Sequence, residues 1–158
     1  MKKKVFGYAA RFIFLYTLVY FIVGMISYQL FGYEEALETI EYFELFRPLG
    51  AENPAMAGVV FLGCIFRGGI LALFLYPFVG VILKKKYGWL LLFVFLFCLT
   101  ALGSLVFLHN LLDLEAIGKT GSVGEVLNDL QYGVPEITLQ IFLFSLFFFF
   151  WERKKNQE

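Results

Sequence analysis

Four long apolar stretches, separated by clusters of charged residues, dominate this sequence of 158 residues. They cover residues 5–31, 56–83, 87–112 and 134–151, and each approaches or exceeds the roughly 20 residues that an α-helix needs to cross the hydrocarbon core of a bilayer. The two-residue alternation of membrane β-strands is absent from them. Because 60% of all residues are hydrophobic and 16% are charged, a soluble domain of this size could not withdraw the apolar surface from water. We therefore predict an all-α fold, a four-transmembrane-helix bundle that forms a single integral membrane domain over 1–158.

The first stretch follows Lys2, Lys3 and Lys4, an arrangement that is also typical of a secretory signal peptide. Signal peptides have an apolar core of roughly 7–15 residues and a cleavage site made of small residues. The stretch over 5–31 is far longer, and no such site follows it. We interpret it as a retained membrane span.

Basic residues are distributed unevenly between the two sides of the predicted membrane. Ten of the 13 Lys and Arg residues lie in the N-terminal end through Arg11, in 84–86 and in 153–155. The loops 32–55 and 113–133 contain one basic residue each, together with ten Asp and Glu residues. Because Lys and Arg are retained on the cytoplasmic side, we predict that both termini are cytoplasmic and that these two loops are outside. This describes a multi-pass protein of the plasma (cytoplasmic) membrane.

The first outer loop has a helical pattern of its own. Its glutamates are interleaved with apolar residues that recur about every three residues, as on one stripe of a helix. The glutamates are Glu34, Glu35, Glu38, Glu41 and Glu44, and the apolar residues are Leu37, Ile40, Phe43 and Phe46. Pro48, Gly50 and Pro54 then interrupt the pattern. We predict a short amphipathic helix here, which is either a cation-attracting or partner-docking surface or a solvated face that enforces the topology.

The sequence has no motif for a metal ion, a nucleotide or a redox cofactor. Cys64 and Cys98 lie within apolar stretches and lack the spacing of zinc or disulfide sites, and the acidic loop lacks the spacing of a calcium loop. Residues 118–121 read GKTG, but Asp113 stands where a phosphate-binding loop needs its first glycine. We expect no cofactor and no nucleic-acid partner. The expected partners are the lipid bilayer and either a second copy of the chain or a membrane partner subunit.

Five polar residues in the spans are the candidate ligand-binding residues, because polar and ionisable groups inside a membrane are costly and often functional. They are Arg67 in the second span, Ser104 and His109 in the third, and Glu136 and Gln140 in the fourth. Arg67 and Glu136 each lie 17 residues from the basic cluster that ends their span, which is about 25 Å of helix and reaches the outer half of the bilayer. Equal depth predicts that these two residues can form an ion pair.

Each of these charges also has a purely structural interpretation. Glu136 follows Pro135, and a proline at the first helical position with a carboxylate in the first turn suits any helix. Arg67 is equally consistent with a buried strut that holds the second span against the fourth. Arg11 is close enough to the inner surface to extend toward it, and Glu152 belongs to the charged segment after the fourth span.

The inner halves of the spans are almost wholly apolar, so the polar residues predict a pocket that opens outward and is sealed below. This arrangement favours a non-enzymatic ligand- or ion-binding protein of transporter type, or a subunit of a membrane complex. One alternative is a structural or assembly factor. Another is a membrane-embedded enzyme, in which Arg67 would hold an anionic lipid head group while Glu136 or His109 acted as acid or base. The residue sets of known intramembrane enzymes are absent from the sequence, which favours the non-enzymatic interpretations.

Overall fold

The computed structural model of the chain describes residues 2–30, 54–102 and 123–155, and these residues form four α-helices. The helices are α1 (Lys2–Leu30), α2 (Pro54–Lys84), α3 (Gly88–Leu102) and α4 (Val123–Lys155). Three of them contain apolar segments long enough to cross a membrane, namely Val5–Leu30, Gly58–Lys84 and Val134–Lys155. The all-helical prediction is therefore confirmed for the described residues, and three of the predicted spans correspond to helices of suitable length and composition.

The third predicted span is described only in part. Helix α3 contributes a shorter apolar segment, Gly88–Thr100, and residues 103–112 of that span lie outside the described residues. The amphipathic helix predicted in the first outer loop, at 34–46, also lies outside them.

Helix α4 begins earlier than the sequence predicts. It starts at Val123, so Pro135 lies inside the helix and Glu136 is not in the first turn. The prediction that Pro135 opens this helix is wrong, because the backbone angle that proline imposes is helical and an interior proline removes one hydrogen bond without ending the helix. Nearby, the Thr138 hydroxyl donates a hydrogen bond of 2.6 Å to the Val134 carbonyl oxygen. The dipole at a helix N-terminus consequently does not account for Glu136.

The four helices pack as an antiparallel bundle in which α1 contacts α2 and α4, and α3 contacts the same two helices from the other side. Ring contacts mark three of these interfaces. They are Phe21–Phe61 for α1 and α2, Phe74–Phe95 for α2 and α3, and Trp89–Phe142 for α3 and α4. Neighbouring helices therefore run in opposite directions, and residues with the same depth can be compared across the bundle.

Two glycines bring α1 and α2 close together. A Cβ atom at Gly68 would lie 3.2 Å from the Tyr16 ring, and one at Gly69 would lie 3.7 Å from the Ile13 side chain. Small residues at such positions let transmembrane helices approach closely, which increases van der Waals contact. The Gly68–Gly69 pair next to Arg67 thus has a packing role toward α1.

The core between α1 and α4 is aromatic. Phe12 is completely buried, and its ring centroid lies 4.7 Å from that of Phe144 and 5.0 Å from that of Phe148. The Tyr8 ring lies 5.6 Å from Phe148 and 5.4 Å from Tyr76 of α2. These rings meet edge to face, an arrangement that aromatic pairs favour. Tyr8, Phe12, Phe144 and Phe148 are called the aromatic cluster below.

A tight turn joins α2 to α3. The Lys85 amide donates to the Ile82 carbonyl oxygen at 3.1 Å, and the Gly88 amide donates to the Lys85 carbonyl oxygen at 3.2 Å. A Cβ atom at Gly88 would overlap the Ile82 carbonyl oxygen, so the turn requires glycine there. The antiparallel packing places this turn, with its three lysines, at the same end of the bundle as the C-terminal residues of α4. We call it the basic end.

Candidate functional site

Arg67 is the charged residue in the middle of α2. Its side chain is exposed, and its Nη2 donates a hydrogen bond of 3.4 Å to the Thr100 carbonyl oxygen of α3. Phe66 and Ile70, beside it on α2, are 72% and 53% exposed, so the surface around Arg67 is apolar and suited to lipid. A guanidinium has five N–H donors. Within the described part of the chain, one of them makes this long hydrogen bond.

Glu136 and Gln140 lie one turn apart on α4. The Gln140 Nε2 donates to the Glu136 Oε1 at 2.8 Å, and both side chains are half-buried. A Cβ atom at Gly24 of α1 would lie 3.7 Å from the same carboxylate oxygen. The carboxylate therefore lies close to α1 at Gly24, where a Cβ atom would be in ordinary van der Waals contact with it.

Tyr20 of α1 relates these two charges to each other. It lies one turn before Gly24, which approaches the Glu136 carboxylate, and one turn after Tyr16, which contacts Gly68 beside Arg67. The two charges therefore lie beside parts of α1 that are about two helical turns apart, with Tyr20 between them. We call Tyr20, Arg67, Glu136 and Gln140 the polar cluster.

The structure places three of the five sequence-predicted site residues in this cluster: Arg67, Glu136 and Gln140. Ser104 and His109 lie outside the described residues. Arg67 donates to the Thr100 carbonyl oxygen and Glu136 accepts from Gln140, and a direct Arg67–Glu136 ion pair stays a prediction.

Sequence reasoning missed Tyr20 and Gly24. A tyrosine or glycine within an apolar run gives no distinctive signal by itself. Both residues could have been found by asking which positions on α1 have the same depth as Glu136.

A buried ion pair lies at the basic end. The Arg11 Nε is 2.5 Å from the Glu152 Oε1, and the side chains of these residues are 20% and 5% exposed. The pair joins α1 to α4 across most of the sequence. One feature of the sequence hints at this pair. Glu152 is an acidic residue directly before three basic residues, at a position near the inner end of a span where a basic residue is more usual.

The aromatic cluster lies between the polar cluster and the basic end and fills the space between α1 and α4. Two hydroxyls there, those of Tyr8 and Ser145, are buried without a hydrogen-bond partner in the described structure. On α4, Phe144 and Phe148 lie between Glu136 and Glu152. On α1, Arg11 lies between Tyr8 and Phe12, so the ion pair borders the aromatic cluster directly.

Neither a metal-binding group among the described residues nor a similar known protein indicates what this arrangement binds. Among the described residues, no group of three or more His, Cys, Asp or Glu side chains could hold a metal ion. Comparisons with protein-family models, with curated proteins and with solved structures give no match.

Proposed function

We propose that this chain is a small, non-enzymatic membrane protein of transporter type that binds a small polar ligand or ion at the polar cluster. The observation that carries the proposal is the presence of two charged residues, Arg67 and Glu136, within long apolar helices. A charged residue at the centre of a membrane helix costs about 2.5–3.5 kcal/mol on insertion scales, and such residues usually mark substrate or ion pathways.

The proposal includes a topology. The chain crosses the plasma membrane four times, over about 5–31, 56–83, 87–112 and 134–151, with both termini and the basic end in the cytoplasm. The uneven distribution of Lys and Arg supports this orientation. In this topology the polar cluster lies in the outer half of the bilayer, and the aromatic cluster separates it from the cytoplasm.

The contacts of Arg67 support an anionic group as part of the ligand. Its 3.4 Å bond to the Thr100 carbonyl is near the outer limit of hydrogen-bond geometry. A carboxylate or phosphate would give the guanidinium shorter, charge-assisted bonds of about 2.7–2.9 Å. Gln140 and Tyr20 would supply the neutral polar contacts that orient such a ligand.

The position of Glu136 is not explained by a role at the start of its helix. Because α4 extends past Pro135 toward its N-terminus, the carboxylate is in the middle of a helix and not at a helix start. The nearness of Gly24 of α1 to its carboxylate supports a position facing α1. This arrangement supports a functional carboxylate facing α1.

The test is ligand-dependent thermal stability of purified protein across a panel of ions, carboxylates, phosphates and zwitterionic metabolites. We expect at least one compound to raise the melting temperature of the wild type and not that of Arg67→Gln. The matched control is Arg153→Gln, which removes an arginine from the basic end and should leave the shift unchanged. If Arg67→Gln folds and keeps the full shift, Arg67 is not part of the site.

A second candidate function is a subunit or assembly factor of a membrane complex, and the exposure of Arg67 favours it. An exposed guanidinium on an apolar helix surface suits an acidic residue on a neighbouring subunit or second copy. In this case Arg67→Gln would change the size of the assembly in mild detergent, and no compound in the panel would shift the melting temperature.

A further inference from the structure

The Arg11–Glu152 ion pair has a position that bears on access to the polar cluster. Helices α1 and α4 are antiparallel, so the pair ties the first described helix to the last at the basic end. Glu136 lies 16 residues before Glu152 on α4, which is about 24 Å of helix. The aromatic cluster occupies the interval between them.

We propose that the Arg11–Glu152 pair is a latch that closes the basic end of the bundle, and that its separation opens a route between α1 and α4 to the polar cluster. This inference rests on the proposed binding function, because it adds a route from the basic end to the same polar cluster. With the latch closed, the aromatic cluster seals the interior. With the latch open, the polar cluster faces the cytoplasm.

The energetics of buried ion pairs suit a latch better than a permanent strut. Removing two charges from water is expensive, and two well-packed apolar residues usually stabilise a fold as well or better. An ion pair differs from an apolar contact because water solvates its two charged side chains well once they separate. At the end of a membrane span, both Arg11 and Glu152 can reach water by a small displacement of their helices.

The two buried hydroxyls near the latch are independent support for a second arrangement. Tyr8 lies on α1 and Ser145 on α4, the two helices that the ion pair joins. Tyr8 lies one turn before Arg11 on α1, and its ring is 5.6 Å from that of Phe148, one turn before Glu152 on α4. Burying a hydroxyl without a partner is unfavourable, so the closed state leaves polar groups unsatisfied that water would satisfy if α1 and α4 separated.

Cys64 provides a native reporter of access from either side. It is 7% exposed, it lies one turn before Arg67, and it is within electrostatic range of Tyr20. The other cysteine, Cys98, is exposed on α3 and is removed by Cys98→Ala. A membrane-impermeant thiol reagent is then applied separately to the two faces of sealed vesicles. A Lys85→Cys variant without the native cysteines identifies the face that carries the basic end.

In the Cys98→Ala background we expect Glu152→Gln to increase the labelling rate of Cys64 from the basic-end face by about tenfold or more, because an unpaired buried Arg11 strongly favours the open state. Labelling from the opposite face should stay within about twofold of the parent. The charge-swapped variant Arg11→Glu/Glu152→Arg should restore the parent rate.

The latch is rejected if folded Glu152→Gln labels no faster than the parent, or if labelling rises equally from both faces, which would indicate general loosening. Should Glu152→Gln fail to fold, Arg11→Gln removes the charge at the more exposed of the two positions and provides the deciding rate; an unchanged rate then rejects the latch. The labelling assay uses no ligand. If it rejects the latch, the thermal-shift test of the proposed function still stands; if no compound in the panel binds, the labelling result still stands.

Discussion

Replacement of Phe12 by alanine tests whether the aromatic cluster holds α1 against α4. Phe12 is completely buried and has two close ring contacts on α4, at 4.7 Å to Phe144 and 5.0 Å to Phe148. Edge-to-face pairs contribute about 0.5–1.5 kcal/mol each, so the two contacts are worth about 1–3 kcal/mol together. Phe14, two residues along α1 and 60% exposed, is the matched control.

The expected loss is smaller than that in a soluble protein. A buried Phe→Ala replacement in water costs about 3–5 kcal/mol, part of which comes from returning apolar surface to water. Inside a bilayer that part is absent, because lipid is as apolar as the protein interior. We therefore expect Phe12→Ala to lower the free energy of unfolding by about 2–3 kcal/mol, and Phe14→Ala to lower it by less than about 0.5 kcal/mol.

The measurement is reversible unfolding in mixed micelles, followed by helical circular dichroism as the fraction of denaturing detergent is raised. Both variants and the wild type are compared at the same lipid composition. Equal losses for Phe12→Ala and Phe14→Ala would refute the reasoning, because they would show that packing between α1 and α4 is no more important than contact with lipid.

Two further comparisons use the same unfolding assay. Gly88→Ala should prevent stable folding or cost several kcal/mol, because its Cβ would overlap the Ile82 carbonyl oxygen, whereas Gly80→Ala, with open space around it, should be neutral or stabilising by up to about 1 kcal/mol. A Gly88→Ala variant as stable as Gly80→Ala would show that the turn has another geometry. Glu152→Ala should cost about 1.5–3 kcal/mol by removing the carboxylate partner of the half-buried Arg11, and the double variant Arg11→Met/Glu152→Leu should recover most of that loss. A double variant as unstable as the single one would contradict this account of the pair.

The three long apolar segments could be predicted from the sequence because each apolar run is bounded by charges. The first two spans were predicted at 5–31 and 56–83, and the corresponding helical segments are Val5–Leu30 and Gly58–Lys84. The start of α4 could not be predicted in the same way. A proline limits the local backbone angles but does not determine how far a helix extends before it.

The rotation of each helix about its own axis was not predictable from the sequence. A soluble helix has one apolar face that indicates its orientation, whereas these helices are apolar on all sides. Counting residues could place Arg67 and Glu136 at equal depth, and the same counting places Arg11 and Glu152 near one end. Whether residues of equal depth share an interface depends on that rotation, which is why the ion pair at the basic end appeared only in the structure.

Helix α4 has 33 residues, of which 22 form the apolar segment Val134–Lys155. At about 1.5 Å per residue, the 11 residues before that segment extend the helix by about 16 Å beyond its apolar part. Pro135 lies at the junction, next to Glu136. The helix therefore continues as one rod past its apolar part, at the end of the bundle opposite the basic end, and Glu136 lies close to the point where the apolar part begins.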